Sequence, residues 1–232
     1  MHASELLTQA HIDESVRQRF PEYVAIVMFA TGLQPGASSP HSEAVLQAAE
    51  SAALARLGQT PPHELPEVAV WRDAFASFGV KPREARSSVE ALLRRCEKGL
   101  PRIDRLTDVY NAISIAHLVP VGGEDLSGYV GPARLVIADG SQTFDTVVDG
   151  EATEQFADVG EVVWRDDRGV TCRRWNWRQC VRTRLTETTT DAIFIFDGLG
   201  PRARERVASA AESLIRELSV DSPNAVFTQR SL

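Results

Sequence analysis

The sequence predicts an α+β domain, a mixed curved sheet packed with helices. Three observations carry this. Residues 40–118 hold helical patterns cut by Gly and Pro breakers; after Gly122-Gly123 the texture changes to short apolar runs between Asp-Gly and Gly-rich turns. The length, 232 residues with 43% hydrophobic, suffices to bury one sizeable core.

The elements follow in order. Residues 22–33 (EYVAIVMFATGL) read as a buried strand ending at Gly32, Pro35 and Gly36. Residues 40–57, rich in Ala, Glu and Leu, read as a helix stopping at Gly58. A shorter helix over 66–78 carries Val70, Trp71, Ala74, Phe75 and Phe78 on one side and stops at Gly79. Ser87-Ser88-Val89-Glu90 matches the S-x-x-E capping box. Val89, Leu92, Leu93 and Cys96 then share a face of a helix that runs to Lys98-Gly99. The helix over 103–118 buries Leu106, Val109, Tyr110, Ile113 and His117. Its other stripe, Asp104, Thr107, Asp108, Asn111 and Ser114, is polar throughout. Strands are expected over 129–137, 142–148, 161–166, 170–177 and 191–197, then a helix from Pro201 to about 218 and a polar tail.

Composition bounds the function. No window approaches the roughly 20 apolar residues that span a bilayer, and the N-terminal stretch has no signal-peptide pattern. Three widely spaced cysteines fit a reduced cytoplasmic protein without a disulfide framework. The five histidines form no HExxH or other ligating spacing, so neither a metal nor a cofactor is expected.

The net charge of −7 is unevenly spread. Residues 81–105 carry eight bases and four acids. Residues 172–184 carry five arginines (Arg173, Arg174, Arg178, Arg182 and Arg184), no acid, and a Trp175-Asn176-Trp177 core. Guanidinium groups take phosphates or carboxylates by paired hydrogen bonds, and indoles stack on rings. The island therefore either faces an anionic, ring-bearing ligand such as a nucleic acid or pairs with acids of the body.

Other candidates have a bland reading beside the functional one. Asn111 and Ser114 lie one turn apart, and either recognise a ligand or satisfy loop backbone. His117 reads as a packed core histidine, and Ser87 with Glu90 as a helix cap. Trp175 and Trp177 read as core or as pocket walls. Cys180 among arginines is a small hydrophobe unless it is exposed. Gly122-Gly123 belongs to neither a Walker loop nor a Rossmann fingerprint. The residues alone thus give a binding site without a recognisable catalytic constellation.

Several segments follow one another in a definite order: Arg86-Ser87-Ser88-x-Glu90-Ala91-Leu92-Leu93-Arg94-Arg95, Leu100-Pro101-Arg102-Ile103 and Thr107–Ser114. After them come Pro120 with Gly122–Leu126, Gly131, Gly160–Val163, Cys172-Arg173-x-Trp175-Asn176-Trp177-Arg178, and Thr186-x-Thr188-Thr189 before Ala192. This order resembles the B3/4-type tRNA-editing domain of the phenylalanyl-tRNA synthetase beta subunit, in free-standing form. It covers about residues 66–200, leaving 1–65 as a part packed into the same fold and 201–232 as a helix and polar tail.

The resemblance implies an editing-domain-like sheet and a tRNA-binding protein that hydrolyses a mischarged aminoacyl-tRNA ester in trans. A complete aminoacyl-tRNA ligase does not fit the length. Asn111, Ser114 and Asn176 are then the expected catalytic residues. Ser88, Trp175, Trp177, Arg178 and Thr188 would bind substrate, and Arg94, Arg95, Arg173 and Arg174 would contact tRNA phosphates. The expected partner is aminoacylated tRNA, with neither DNA nor membrane. One departure stands out: synthetase editing domains usually carry a histidine after the Asn-bearing helix, where this chain has Gly122-Gly123. The alternatives are a non-catalytic tRNA-binding module and a small-molecule or amino-acid-binding protein.

Overall fold

A computed structural model describes residues 3–232; Met1 and His2 lie outside the described residues. Three short elements open the chain: α1 (Ala3–Gln9), β1 (His11–Ile12) and α2 (Glu14–Arg19). β2 (Val24–Thr31) is the continuous apolar run, buried along its length apart from its two end residues. Two helices match their expected spans closely. α3 (Pro40–Leu57) starts at a capping box in which the Ser39 side chain accepts from Ser42 N and the Ser42 side chain accepts from Ser39 N. α4 (Pro66–Ser77) starts on the ring-constrained Pro66.

α5 (Ser88–Leu93) is shorter than its apolar face suggested, with a separate 3₁₀ turn at Cys96–Lys98. Ser87 caps it, accepting from Glu90 N at 3.4 Å. The Glu90 carboxylate does not close the box; it is fully buried and takes Arg72 at 2.5 and 2.9 Å and Arg94 at 2.8 Å. α6 (Arg105–His117) is capped by Asp104, which accepts from Thr107 N at 2.8 Å.

The second half forms β3 (Val121–Asp125), β4 (Arg134–Ile137), β5 (Thr143–Val148), β6 (Glu151–Phe156), β7 (Val162–Arg165), β8 (Val170–Arg173), β9 (Arg178–Gln179), β10 (Ala192–Gly198), α7 (Ala203–Asp221) and β11 (Val226–Ser231). One sheet has the order β11-β2-β10-β3, all antiparallel. The other has the order β1-β4-β7-β8-β9, with β1 parallel to β4, and β5-β6 is a separate hairpin. The architecture is the expected α+β with mixed sheets.

Four differences from the sequence reading have local causes. β3 runs through Gly122-Gly123, where no strand was expected, because the pairing of Gly122 with Ile195 and Gly123 with Phe194 needs no side chain. The polar tail forms β11 on the edge of β2, where most of its side chains are exposed and so leave little apolar pattern. β6 likewise is half-exposed or exposed throughout, so it lacks a strand's alternation. The strand expected over 170–177 ends at Arg173, because Arg174 and Trp175 turn left-handed with φ of 47° and 67°.

The core has two main parts on opposite faces of β2 and β10. Met28, Phe194 and Phe196 pack with α6 and α7 on one side. Val27, Phe29, Ile193 and Ile195 pack with α3, α4 and the second sheet on the other. Trp175 stands at the centre of this second part, its ring edge-on to Phe20, Tyr23 and Trp71 at 4.7, 4.8 and 5.3 Å. Phe20 and Tyr23 thereby pack in the same core as Trp71 and Trp175. No described helix is long and apolar enough to cross a membrane.

Candidate functional site

Where the two sheets meet, α5, α6, β3, β10 and the turn after β8 enclose a cavity of about 290 Å³. The turn delivers its most informative residue. Two consecutive non-glycine left-handed residues are strained, of order 1–3 kcal/mol each, and persist only where their surroundings fix them. Here they are fixed several times over. Arg174 N donates to Glu161 Oε1 at 2.6 Å, Trp175 N to Val162 O at 2.6 Å, and Trp177 N to Arg173 O at 3.1 Å. Asn176 is thereby presented to the cavity, while its carbonyl oxygen accepts from Ser88 N at 3.0 Å and ties the turn to α5.

The Asn176 amide has a fixed orientation. Its Nδ2 donates to Asp197 Oδ2 at 3.3 Å, and a carboxylate only accepts, so the amide oxygen is the other atom. That oxygen is buried without a protein partner, in a residue only 7% exposed. The Ser88 hydroxyl, also on the wall, is buried and unpartnered too. Trp175 Nε1 is a third; buried polar atoms are nearly always paired, so three such atoms around one cavity mark a place where a ligand or water is received. Asn111 reaches the cavity from α6 and is 8% exposed; among the described residues nothing hydrogen-bonds its side-chain amide.

Two buried carboxylates complete the wall, and the sequence reading missed both. Asp197, at the end of β10, accepts from Tyr23 OH at 2.5 Å, Trp164 Nε1 at 3.2 Å and Asn176. Burial pushes its pKa up to about 6, against these three donors. Glu124, on β3, accepts from the Thr183 hydroxyl at 2.5 Å through Oε2, and burial pushes it up to about 7. The available signal was an acid inside or closing an otherwise apolar or glycine strand (Ala192–Asp197, Val121–Glu124). Such a position invites burial of the charge.

The expected residues divide. Asn111, Asn176, Ser88, Trp175, Trp177, Arg178 and Arg95 all line the cavity. Ser114 does not: it is fully buried and its hydroxyl donates to Val119 O at 2.7 Å, closing the end of α6. Asp104, Thr107 and Asp108 of the same stripe are spent likewise: Asp104 accepts from Thr107 N at 2.8 Å and from its hydroxyl at 2.7 Å, and Asp108 accepts from Ile103 N at 2.9 Å. Thr188 lies in the 186–190 loop and lines a different depression with Asp125 and Asp191.

The arginines divide too. Arg173, expected to contact phosphate, is 7% exposed and bound to Glu161 at 2.6 and 3.1 Å and to Asp158 at 3.0 Å. Arg182 is held by Asp166 in the same way, at 2.7 and 3.1 Å. Arg94 is drawn to Glu90. Arg174 lies over the Trp177 ring at 4.4 Å, with Asp158 at 3.6 Å. Two exposed cations remain on the cavity wall, Arg95 and Arg178, the latter also donating to Val147 O at 3.3 Å. Cys180 is fully buried and burial pushes its thiol up to about 11, so it is a small apolar residue. His117 packs half-buried against Ser213 at 3.0 Å, and burial lowers its pKa.

Residues 70–218 match the model of the B3/4 domain. The chain belongs to the B3/4 domain family. Most of the B3/4 cavity wall falls inside the matched segment, from Ser88 to Asp197. Among solved structures, an N-terminal fragment of the phenylalanyl-tRNA synthetase beta-subunit from Pyrococcus horikoshii is similar at 11% identity and a TM-score of 0.48. The similarity covers 96% of this chain and 53% of that one, so the B3/4 protein spans about half the length of the fragment. No curated protein matches the chain.

Gly122 and Gly123, where the resemblance led to a histidine being expected, face opposite ways. Gly122 lines the cavity, and a Cβ there meets only the Gln179 amide nitrogen at 3.0 Å. Gly123 faces the core instead, where a Cβ would stand 2.9 Å from Tyr110, Leu185 and Phe194.

Proposed function

We propose that the cavity receives the aminoacyl end of a tRNA and that the protein hydrolyses a mischarged aminoacyl ester in trans. One observation carries this reading. The cavity of a B3/4 domain presents the Asn111 amide, which makes no hydrogen bond among the described residues, and the Asn176 amide oxygen, which is buried without a partner. An aminoacyl ester is already activated, so held water and aligned donors are sufficient help. In this reading the Asn176 amide oxygen accepts from the attacking water or the amino group, and the Asn111 amide holds the ester. Ser88 lies beside them, Trp175 and Trp177 form the walls, and the terminal ribose hydroxyl helps orient the water. Arg95 and Arg178 meet the phosphates next to the ester. The missing histidine fits a mechanism that takes its proton transfers through water.

A second reading has its own support. Arg94 and Arg173 are held by buried carboxylates, which leaves a sparse cationic rim and favours a pocket for a free amino acid or related small molecule. Deacylation of a panel of mischarged aminoacyl-tRNAs, Tyr-tRNA(Phe) included, by wild type and Asn111→Ala separates the readings. Turnover of one ester that depends on Asn111 is the expected result. Absence of turnover together with absence of salt-sensitive tRNA binding would favour the small-molecule pocket.

A further inference from the structure

The cavity is unbalanced in its hydrogen-bonding chemistry. Its buried wall offers three acceptors, the Glu124 carboxyl, the Asp197 carboxyl and the Asn176 amide oxygen, against one unpartnered buried nitrogen donor, Trp175 Nε1. Asp197 is saturated, with Tyr23, Trp164 and Asn176 all donating to it. Glu124 is not. Thr183 anchors its Oε2 and the Tyr129 hydroxyl lies against it, but no arginine or lysine is paired with it directly, since the nearby Arg182 is bound to Asp166, in contrast to the buried Glu90 and Glu161. A second, independent sign of a ligand is the Asn176 oxygen, buried, unpartnered and on the same wall.

A buried carboxylate without a counter-charge is costly, and a cation brought by a ligand removes that cost. Arg95 and Arg178 do not supply it, since both are exposed at the margin of the wall. We infer that Glu124 and the Asn176 amide oxygen form a receptor for a primary ammonium group, and that this receptor selects the ligand. An ammonium offers three donors, enough for Glu124, for Asn176 and for one water or the Ser88 hydroxyl. The inference rests on the cavity being the amino-acid pocket proposed above and names what that pocket reads. The ammonium belongs either to the α-amine or to a basic side chain.

Four small amides of equal chain length separate these sources without tRNA. Lysinamide carries both amines, norleucinamide the α-amine, 6-aminohexanamide the terminal amine, and hexanamide none. Calorimetry or the fluorescence of Trp164, Trp175 and Trp177 reads binding directly, since all three indoles line the cavity. The expected result is that at least one singly aminated amide binds tenfold or more tighter than hexanamide. Glu124→Gln should abolish that advantage and leave hexanamide unchanged, while Glu187→Gln, an exposed control, alters nothing. Whichever singly aminated amide keeps the advantage names the source of the ammonium. Equal binding of all four amides by wild type, or no binding at millimolar concentration, overturns the inference, and this comparison needs no variant that must fold. Amine selectivity undiminished in Glu124→Gln overturns the role of Glu124. Because tRNA is absent, failure of deacylation and failure of ammonium selection are separate results.

Discussion

Arg173 and Arg178 are five residues apart in one basic island and do opposite things. Arg173 is buried between Glu161, Asp158 and the Phe144 ring, at 5.9 Å from the ring centroid. Arg178 is exposed at the cavity margin and meets only a carbonyl oxygen of the β5–β6 hairpin. The difference is made by distant acids. Glu161 and Asp158 precede the strand that reverses at Arg168-Gly169, and the reversal folds Arg173 back onto them. A run of arginines therefore states how much positive charge a segment carries but not where its counter-charge lies.

The largest effect that tests this contrast is on stability. Removing one partner of a buried ion pair typically costs about 3–5 kcal/mol, because the other charge stays buried alone. Arg173→Ala should fall in that range by denaturant unfolding, since Glu161 is 2% exposed. Arg178→Ala should stay within about 0.5 kcal/mol of wild type. Equal costs for the two would erase the distinction between anchoring and marginal arginines.

The two asparagines sharpen the same contrast for the site. Asn111→Ala removes an amide that nothing in the protein uses, so the fold should keep its stability within about 0.5 kcal/mol. Deacylation should fall by about 10²-fold, the scale of losing one aligned donor. A full-activity Asn111→Ala would remove this residue from the proposed mechanism.

Gly122 and Gly123 make a smaller comparison of adjacent positions. A methyl at Gly123 meets three packed side chains at 2.9 Å, and overpacking of this kind costs about 1–3 kcal/mol. Gly122→Ala meets only the Gln179 amide nitrogen, which donates to Gly123 O, and should cost no more than the loss of that one hydrogen bond, about 1 kcal/mol. Thermal melts of the two variants read this directly. Reversed costs would mean that the face assignment of β3 is wrong.

The buried carboxyls set a pH dependence of definite sign. Burial raises Glu124 to about 7 and Asp197 to about 6, so the folded chain holds these protons more tightly than the unfolded chain does. Their contribution to stability is complete below the ordinary carboxylate range and is lost as pH rises through about 6 and 7. Glu90 acts in the opposite sense: burial resists its ionisation, yet Arg72 and Arg94 hold its pKa below the usual value, and its contribution is lost in acid. His117, lowered by burial, works against the two raised carboxyls in this window, so the difference between variants is the readout: from pH 5 to pH 8 melting temperature without ligand should fall more, or rise less, in wild type than in Glu124→Gln. Identical profiles for the two would contradict the burial of Glu124.

Much of the fold was legible because helices announce themselves through period and caps. Pro40–Leu57 and Pro66–Ser77 have breakers at both ends and apolar faces between. The strands were harder where exposure or glycine erased the alternation, as in β11, β6 and β3. Within the site, Asn111 and Asn176 were visible as uncharged polar groups next to apolar ones. Ser114 looked equivalent to Asn111, and only the left-handed Leu118 (φ 53°), which leads to Val119, shows why its hydroxyl turns to backbone. Glu124 and Asp197 were invisible as a pair because 73 positions separate them in the sequence, and only the β3–β10 pairing brings their strands together.

The smallest effect bears on whether the margin of the cavity meets a polyanion at all. Each phosphate that a cation no longer neutralises lowers the slope of log affinity against log salt by about 1. Arg95→Ala and Arg178→Ala should each weaken tRNA binding modestly and reduce that slope by about 1. Arg173→Glu is not the informative control, since it breaks the fold's own ion pair. Arg174→Gln is better, because Arg174 lies on Trp177 with only 15% of its side chain exposed. If Arg174→Gln leaves the slope unchanged while Arg95→Ala and Arg178→Ala lower it, exposure at the cavity margin decides which arginines meet phosphate. If none of the three moves the slope, the cationic island is internal to the fold and the ligand enters without its phosphates being held.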